Sequence, residues 1–344
     1  MRRKPCILVT GGTGYIGSHT VVELIGSGHE VVIVDNLSNS YAEVIDRIET
    51  ITGVRPYFHR VDIRHEQALN EVFALHPFDA VIHFAALKAV GQSVSHPLLY
   101  YHNNLVSLLH LIECCRQYHI VKLVFSSSCT VYGQPDRLPV TEDTPVQRPC
   151  SPYGNTKKIS EEILYDCAIS QPLHVISLRY FNPCGAHESG LLGEFPIGKP
   201  TNLMPVMTQT AAGLLSGFEV FGTDYNTPDG SCIRDYIHIT DLARAHVSAL
   251  ERLLASEQED PFEVFNIGTG KGISVLEMIQ AFERLTGKRL NYRLAGRRLG
   301  DVEQIWADPS RAARILGWSA RFTLDDMILS AWKWQQQLAH KLMS

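Results

Sequence analysis

The stretch Thr10-Gly11-Gly12-Thr13-Gly14-Tyr15-Ile16-Gly17 decides the fold. It follows a short apolar run, residues 6–10, and opens an amphipathic stretch, residues 16–27. Gly12, Gly14 and Gly17 satisfy G-x-G-x-x-G, and Gly11, Gly14 and Gly17 satisfy G-x-x-G-x-x-G. Between a strand and a helix, such glycines allow a tight turn and close approach of backbone to a pyrophosphate. The helix N-terminus is then aimed at the negative charge. Asp35 closes the next apolar run, 31–35, eighteen residues beyond Gly17. A carboxylate there accepts hydrogen bonds from ribose hydroxyls and repels a 2′-phosphate. Asn36 follows it rather than Arg, so the residues favour NAD over NADP.

Working outward, short runs rich in Val, Ile and Phe recur at 80–86, 122–128 and 175–180. Helical patterns lie between the runs, at 16–27, 41–52, 67–75, 98–118 and 153–170. This alternation predicts an α/β fold, a doubly wound parallel sheet of Rossmann type, with ligands at the strand C-termini. Asp62-Ile63, after a strand-like stretch 56–61, and Phe84-Ala85, at the end of 80–86, fall at that edge. Residues 183–235 carry clusters of Gly, Pro, Asn and Asp, and 264–268 look like one more strand of the first sheet. The expected division is a cofactor domain, 1–182, with a return segment at about 236–268. A smaller discontinuous mixed α/β lobe, 183–235 and 269–344, would cap the ligand edge.

Composition narrows the class. The chain has 344 residues, 45% hydrophobic and 19% charged, and a formal charge of -5. That length supplies a core without disulfide or metal staples. The mildly acidic balance gives no general pull toward nucleic acid or an anionic membrane. No apolar run reaches the roughly 18 residues of a spanning helix. The basic start, Met1-Arg2-Arg3-Lys4, meets Gly11-Gly12 too soon for a signal core, so a cytoplasmic protein is expected. The eight cysteines form no C-x-x-C pair, and His65-Glu66 lacks the second ligand of H-E-x-x-H. No metal is expected.

The chemistry is expected in Ser151-Pro152-Tyr153-Gly154-Asn155-Thr156-Lys157. Tyr153 and Lys157, at i and i+4, share one helix face. A phenol with pKa near ~10 is a poor base at neutral pH. A nearby ammonium and an oxidised nicotinamide would favour the phenolate. Ser128 ends a hydroxyl run, Ser126-Ser127-Ser128, at the same sheet edge, where it can hydrogen-bond a reacting hydroxyl or ketone.

The glycine fingerprint, Asp35, the serine run and Tyr-x-x-x-Lys together resemble the extended short-chain dehydrogenase/reductases. Within them the chain is most similar to the UDP-galactose/UDP-glucose 4-epimerase branch. Similar stretches are 9–39, 83–94, 125–133, 151–157, 179–187, 202–205, 234–241 and 300–308. The resemblance implies that Tyr153 takes the proton of the sugar 4-hydroxyl while hydride leaves C4 for NAD. The 4-ketose then turns about its diphosphate link, and hydride and proton return to its other face. It implies catalytic roles for Ser128, Tyr153 and Lys157. Cofactor contacts carry over to Gly11, Gly12, Gly14, Tyr15, Ile16, Gly17, Asp35, Asn36, Asp62, Ile63, Phe84, Ala85, Lys88, Asn103, Tyr153, Lys157 and Phe181. Substrate contacts carry over to Ser128, Tyr153, Asn182, Asn202, Leu203, Phe221, Arg234, Tyr236, Arg298, Asp301 and Ile305. Arg234 and Arg298 suit a diphosphate, because guanidinium offers a fixed fork of donors.

Related dehydratases carry an Asp-Glu pair just after the hydroxyl residue, and decarboxylases tend to carry Glu at the second of these positions. Here Cys129 and Thr130 stand there, which disfavours elimination and decarboxylation. A dinucleotide sensor without turnover is disfavoured by the presence of Ser128, Tyr153 and Lys157 together. Ile305 departs from the family's Tyr, Cys or Ser at the position facing the sugar C2 substituent. The alternative is therefore an epimerase that also, or instead, accepts UDP-N-acetylglucosamine. A stripe of Leu98, Tyr101, Leu105, Leu108, Leu109 and Ile112 is expected to cover the chain's own sheet. The resemblance also implies a homodimer, with the helices at 98–118 and 153–170 paired across a two-fold axis.

Overall fold

The computed structural model describes residues 3–343; Met1, Arg2 and Ser344 lie outside the described residues, and with them the first part of the basic start. In chain order the first half runs β1 (Cys6–Thr10), α1 (Tyr15–Gly26), β2 (Glu30–Asp35), α2 (Glu43–Thr52), β3 (Tyr57–Arg60), α3 (Glu66–Leu75), β4 (Ala80–His83), α4 (Val90–Ser95), α5 (Pro97–Gln117), β5 (Lys122–Ser126), α6 (Pro152–Ser170) and β6 (His174–Tyr180). The second half runs β7 (Asn182–Cys184), α7 (Leu203–Ala211), β8 (Phe218–Phe221), β9 (Ile233–His238), α8 (Ile239–Leu254), β10 (Phe262–Ile267), β11 (Gly272–Ser274), α9 (Val275–Thr286), β12 (Tyr292–Ala295), β13 (Gln304–Ile305), α10 (Ser310–Ile315) and α11 (Leu324–Met343).

Seven strands form one parallel sheet in the order β10-β6-β5-β4-β1-β2-β3. The strands are apolar on both sides because helices cover both faces. Within β1, Ile7 and Val9 pack toward Val21 and Leu24 of α1, Ile45 of α2 and Leu242 of α8. Cys6 and Leu8 face the other way, toward Leu69 of α3, Leu108 and Leu111 of α5, and Leu164 of α6. Each fully buried side chain of this size contributes roughly 1.5–3 kcal/mol. The chain runs outward from β1 to β3, then returns to β4 on the other side of β1 and continues outward again. Strand order therefore reverses between β1 and β4, and the crevice beyond their C-terminal ends is the binding position of such sheets.

Two expected strands stop early. The run 80–86 leaves the sheet after His83, and the Asn104 amide grips the following loop. It accepts from Leu87 N at 2.9 Å and donates to Leu87 O at 3.0 Å. The run 122–128 ends at Ser126, and Ser128 caps a 3-10 turn, Cys129–Tyr132, by accepting from Thr130 N.

The expected role of the α5 stripe needs correcting. Leu98 is 81% exposed and Leu109 is 44% exposed. Leu108 and Ile112 of the stripe are buried as expected, and Tyr100, Asn104, Ser107 and Leu111 share their inward face. Polar residues hold that face because their groups are paired: Asn104 also donates to Thr156 Oγ1 at 2.9 Å, tying α5 to α6. Leu98, Leu99 and Leu109 instead form an outward apolar surface on α5, and Tyr165 and Ile169 do so on α6.

The remaining strands build a smaller unit. β7, β11 and β13 all pair with β9, and β8 pairs with β12. Met204 and Met207 of α7, Phe282 of α9 and Ile328 of α11 form its core. Among the described residues no helix is long and apolar enough to cross a membrane, and no group of three or more His, Cys, Asp or Glu is placed to hold a metal.

Candidate active site

The glycine turn sits where the strand order reverses. Gly11 adopts φ +72° and donates from its N to Val34 O at 2.8 Å, so the loop folds back over β2. A Cβ on Gly17 would lie 2.2 Å from Gly11 O, so only glycine lets α1 begin this close to the turn. A cavity of about 550 Å³ opens above it. Its wall includes Gly11, Gly14, Tyr15, Ile16, Gly17, Asp35, Asn36, Asp62, Ile63, Phe84, Ala85, Lys88, Asn103, Tyr153 and Lys157. Two expected cofactor contacts differ. Gly12 is turned underneath, where a Cβ would meet Ile33 at 2.8 Å, and does not line this cavity. Phe181 lines the adjoining cavity instead.

The Asp35 carboxylate is held at the end of β2 by Leu37 N (2.9 Å), Thr13 N (3.2 Å) and Ser40 Oγ (3.3 Å). Asp62 accepts both prongs of Arg64, at 2.9 and 2.6 Å, and Asn36 Nδ2 at 3.1 Å. The Arg64 hydrogen bonds keep its carboxyl below the usual carboxylate range. A glycine cradle that a Cβ would fill, a fixed carboxylate at the strand end and an apolar wall at Phe84-Ala85 fit a dinucleotide.

At the far end of this cavity α6 begins. Pro152 occupies its first turn and Ser151 caps it, accepting from Gly154 N at 3.2 Å. Tyr153 and Lys157 stand one turn apart, both buried. Tyr153 also lines a second cavity, of about 1040 Å³. That wall carries Ser128, Phe181, Asn182, Asn202, Leu203, Phe221, Arg234, Tyr236, Arg298, Asp301 and Ile305. The two cavities adjoin: the expected substrate residues line the second, most of the expected cofactor residues line the first, and Ile16, Lys88 and Tyr153 stand on the wall of both.

The electrostatics differ from expectation. Burial raises the Tyr153 phenol well above 10, against the lowering effect of its hydrogen bond with Ser128. The expected lowering by Lys157 is not what dominates, because Lys157 is itself desolvated. Burial pulls its ammonium from 10.5 down to about 7, with Glu161 opposing. Lys157 Nζ donates to Ser126 O at 2.6 Å and lies 4.9 Å from the Phe125 ring centre. Burial also pushes the Cys129 thiol up to about 12.

In the second cavity Arg234 is anchored to the backbone, donating to Val302 O at 2.6 Å and Ile233 O at 2.9 Å. Arg298 pairs with Asp301 at 2.9 Å and lies over the Phe221 ring. Ile305 pairs in register with Arg234 and packs with Cys129, Val131 and Phe181.

Three features escaped the sequence. Tyr180, at the end of β6, lines both cavities and shares a 2.7 Å hydrogen bond with Ser126 Oγ. Glu161, one turn beyond Lys157, accepts from Ser127 (2.6 Å), Ser177 (2.8 Å) and Arg179, locking α6 onto β5 and β6. Its i+4 spacing from Lys157 was the available signal. Glu194, in an irregular loop, bonds Lys88 at 3.1 Å and Asn202 at 2.5 Å, and carried no local signal.

The sequence matches the GDP-mannose 4,6 dehydratase family over residues 8–330. It is 52% identical over 330 residues to the UDP-glucose 4-epimerase of Bacillus subtilis (strain 168), covering 96% of each chain. The chain belongs to the UDP-glucose 4-epimerase family. Within it, the UDP-glucose 4-epimerase of Dictyostelium discoideum is likewise 52% identical, over 96% of this chain and 95% of that one. A Bifidobacterium longum UDP-glucose 4-epimerase, solved in complex with NAD+ and UDP, superposes with TM-score 0.94 at 46% identity, over 96% of this chain and 98% of that one. The Stenotrophomonas maltophila enzyme, with bound NAD and formylated UDP-arabinopyranose, gives TM-score 0.94 at 49% identity, over 98% and 99%.

Proposed function

We propose that this family member interconverts UDP-galactose and UDP-glucose by oxidising C4 of the sugar and reducing it again on the opposite face. The observation that carries the proposal is Tyr153, which stands on the common wall of the cavity above the glycine turn and a larger one lined by Arg234 and Arg298. NAD is the cofactor; when bound it supplies the acceptor, and then the donor, of the C4 hydride. Gly11, Gly14, Gly17 and Asp35 would hold it, with Asn36, Asp62, Phe84, Lys88 and Lys157 along its length.

The chain's own groups handle the protons. Tyr153 takes the proton of the 4-hydroxyl and later returns one. Ser128 hydrogen-bonds both the phenol and the reacting oxygen, so the sugar oxygen stays in reach while its charge changes. Lys157, with Ser126 O behind it, puts positive charge beneath the same face and eases loss of the phenolic proton. Arg234 and Arg298 hold the diphosphate. A cavity at the upper end of the usual range for ligand sites, roughly 300–1,000 Å³, gives the ketosugar room to turn over.

The hexose pair is the substrate, not the N-acetylated pair, in keeping with the UDP-glucose 4-epimerases it matches. Residues 1–182 with about 236–268 would serve the cofactor, and 183–235 with 269–344 the nucleotide sugar. The exposed leucines of α5, with Tyr165 and Ile169 of α6, support a homodimer through these two helices. The eight free cysteines, six of them buried, suit a cytoplasmic protein. Purified protein given UDP-galactose, without added NAD, should produce UDP-glucose. Absence of product even with NAD added would reject the proposal.

A further inference from the structure

An enzyme that oxidises and reduces one sugar in a single turnover must keep its cofactor between the two steps. The glycine turn and Asp35 hold a dinucleotide from the sheet side alone. A further part of the cavity wall comes from the loop between Leu192 and Thr201, which belongs to none of the sheets. We propose that this loop is the clasp that keeps the dinucleotide captive, and that Glu194 is its latch. The inference rests on the function proposed above and adds residues that the glycine fingerprint does not include.

Five contacts of Glu194 and Phe195 pin the loop. Glu194 Oε1 takes the Lys88 ammonium at 3.1 Å, from the segment after β4, and the Asn202 amide at 2.5 Å, from the start of α7. One carboxylate thus joins a cofactor-side lysine to a substrate-side asparagine. The Glu194 side chain is 12% exposed and that of Lys88 42%, so the carboxylate is sheltered while the ammonium stays open to water. Phe195 stacks on Tyr41, with ring centres 4.4 Å apart and planes at 27°. Arg47 of α2 lies 5.7 Å from the Phe195 ring centre and 4.8 Å from that of Trp334. Trp334 in turn donates from Nε1 to Glu194 O at 3.1 Å, fixing the loop backbone to α11. Tyr41, Arg47, Glu194, Phe195 and Trp334 all line the cofactor cavity. Release of the dinucleotide past this wall requires the stack and the Lys88 pair to open. Because Asn202 and Lys199 also line the substrate cavity, an occupied substrate site would hold the latch shut.

The test follows cofactor loss directly. Wild type, Glu194→Gln and Phe195→Ala are purified with NAD, reduced in place, and diluted into excess NAD while the fluorescence of the departing NADH is followed. Glu194→Gln keeps the shape and the Asn202 hydrogen bond but loses the ion pair. Its release should quicken roughly two- to fivefold. Phe195→Ala removes the stack and should quicken release roughly two- to tenfold. UDP should slow release in wild type and do so less in Glu194→Gln. Phe195→Leu serves if the alanine variant fails to fold. Release rates equal to wild type in folded variants of both positions would overturn the clasp. The release measurement needs no turnover, so it stands apart from failure of wild type to interconvert the sugars, which would reject the proposed function instead.

Discussion

Replacing Gly17 by alanine tests the cofactor turn with a single methyl group. The added Cβ would sit 2.2 Å from Gly11 O and 2.8 Å from Gly12 Cα, where ordinary contact begins at 3.4 Å. The shortfall exceeds 1 Å, and both obstacles are backbone, so no rotamer change relieves it. Either α1 backs away or the Gly11–Gly12 turn is pushed outward into the cavity. Overpacking of this kind costs about 1–3 kcal/mol. Displacing the turn by about 1 Å also spoils the approach of its N–H groups to a pyrophosphate, and a misplacement of that size can cost about a hundredfold in function. Two other glycines calibrate the result. A Cβ on Gly14 would meet only Gly11 O, at 3.2 Å, and one on Gly26 would meet nothing within 4 Å. Gly26→Ala, at the end of α1, should therefore stabilise by up to about 1 kcal/mol. Thermal unfolding and NADH fluorescence titration of the three variants should rank cofactor affinity Gly26→Ala above Gly14→Ala above Gly17→Ala. Cofactor affinity of Gly17→Ala within twofold of wild type would refute the close-approach argument.

Lys157→Met should abolish turnover yet stabilise the cofactor-free fold. With its pKa pulled from 10.5 to about 7, Lys157 carries its full desolvation penalty below about pH 7. Between there and 10.5 the unfolded chain binds more protons, so wild-type stability rises with pH. The shift corresponds to about 5 kcal/mol at most, against about 1–3 kcal/mol for leaving Ser126 O without its donor. Urea unfolding should show the variant ahead at pH 6.5 and the gap closing by pH 9.5; a gap independent of pH would contradict the buried-ammonium assignment. On the outer face, Leu98→Glu with Leu109→Glu should convert a dimeric mass to a monomeric one in light scattering. An unchanged dimeric mass would place the interface elsewhere.

The parts of this chain that were legible in its sequence are those whose physics is local. The glycine turn, the runs that became β1, β2 and β6, and the i,i+4 pair Tyr153 and Lys157 each announce themselves within ten residues. What escaped depends on partners distant in the chain. The α5 stripe was right at Leu108 and Ile112 but wrong at Leu98 and Leu109, because Asn104 and Ser107, polar by type, lie inside, with Asn104 bonded to Leu87 and Thr156. The end of β4 at His83 coincides with the end of its neighbour β1 at Thr10, its partner in register, not with a change in composition. The Tyr153 phenol was expected to be lowered, because a neighbouring ammonium is visible in sequence and burial of both groups is not. Helix α8 takes its place by packing on α1 and the first sheet, α7 by packing on α11, and the Glu194 loop by contacts to Tyr41, Arg47 and Lys88, all distant in the chain.

The most direct measurement is the rate of UDP-galactose to UDP-glucose conversion by Tyr153→Phe, with NAD content checked in the same sample. Loss of the phenolic oxygen should slow turnover about 10²- to 10⁴-fold while NAD stays bound. Conversion within tenfold of wild type would contradict the assignment of proton transfer to Tyr153.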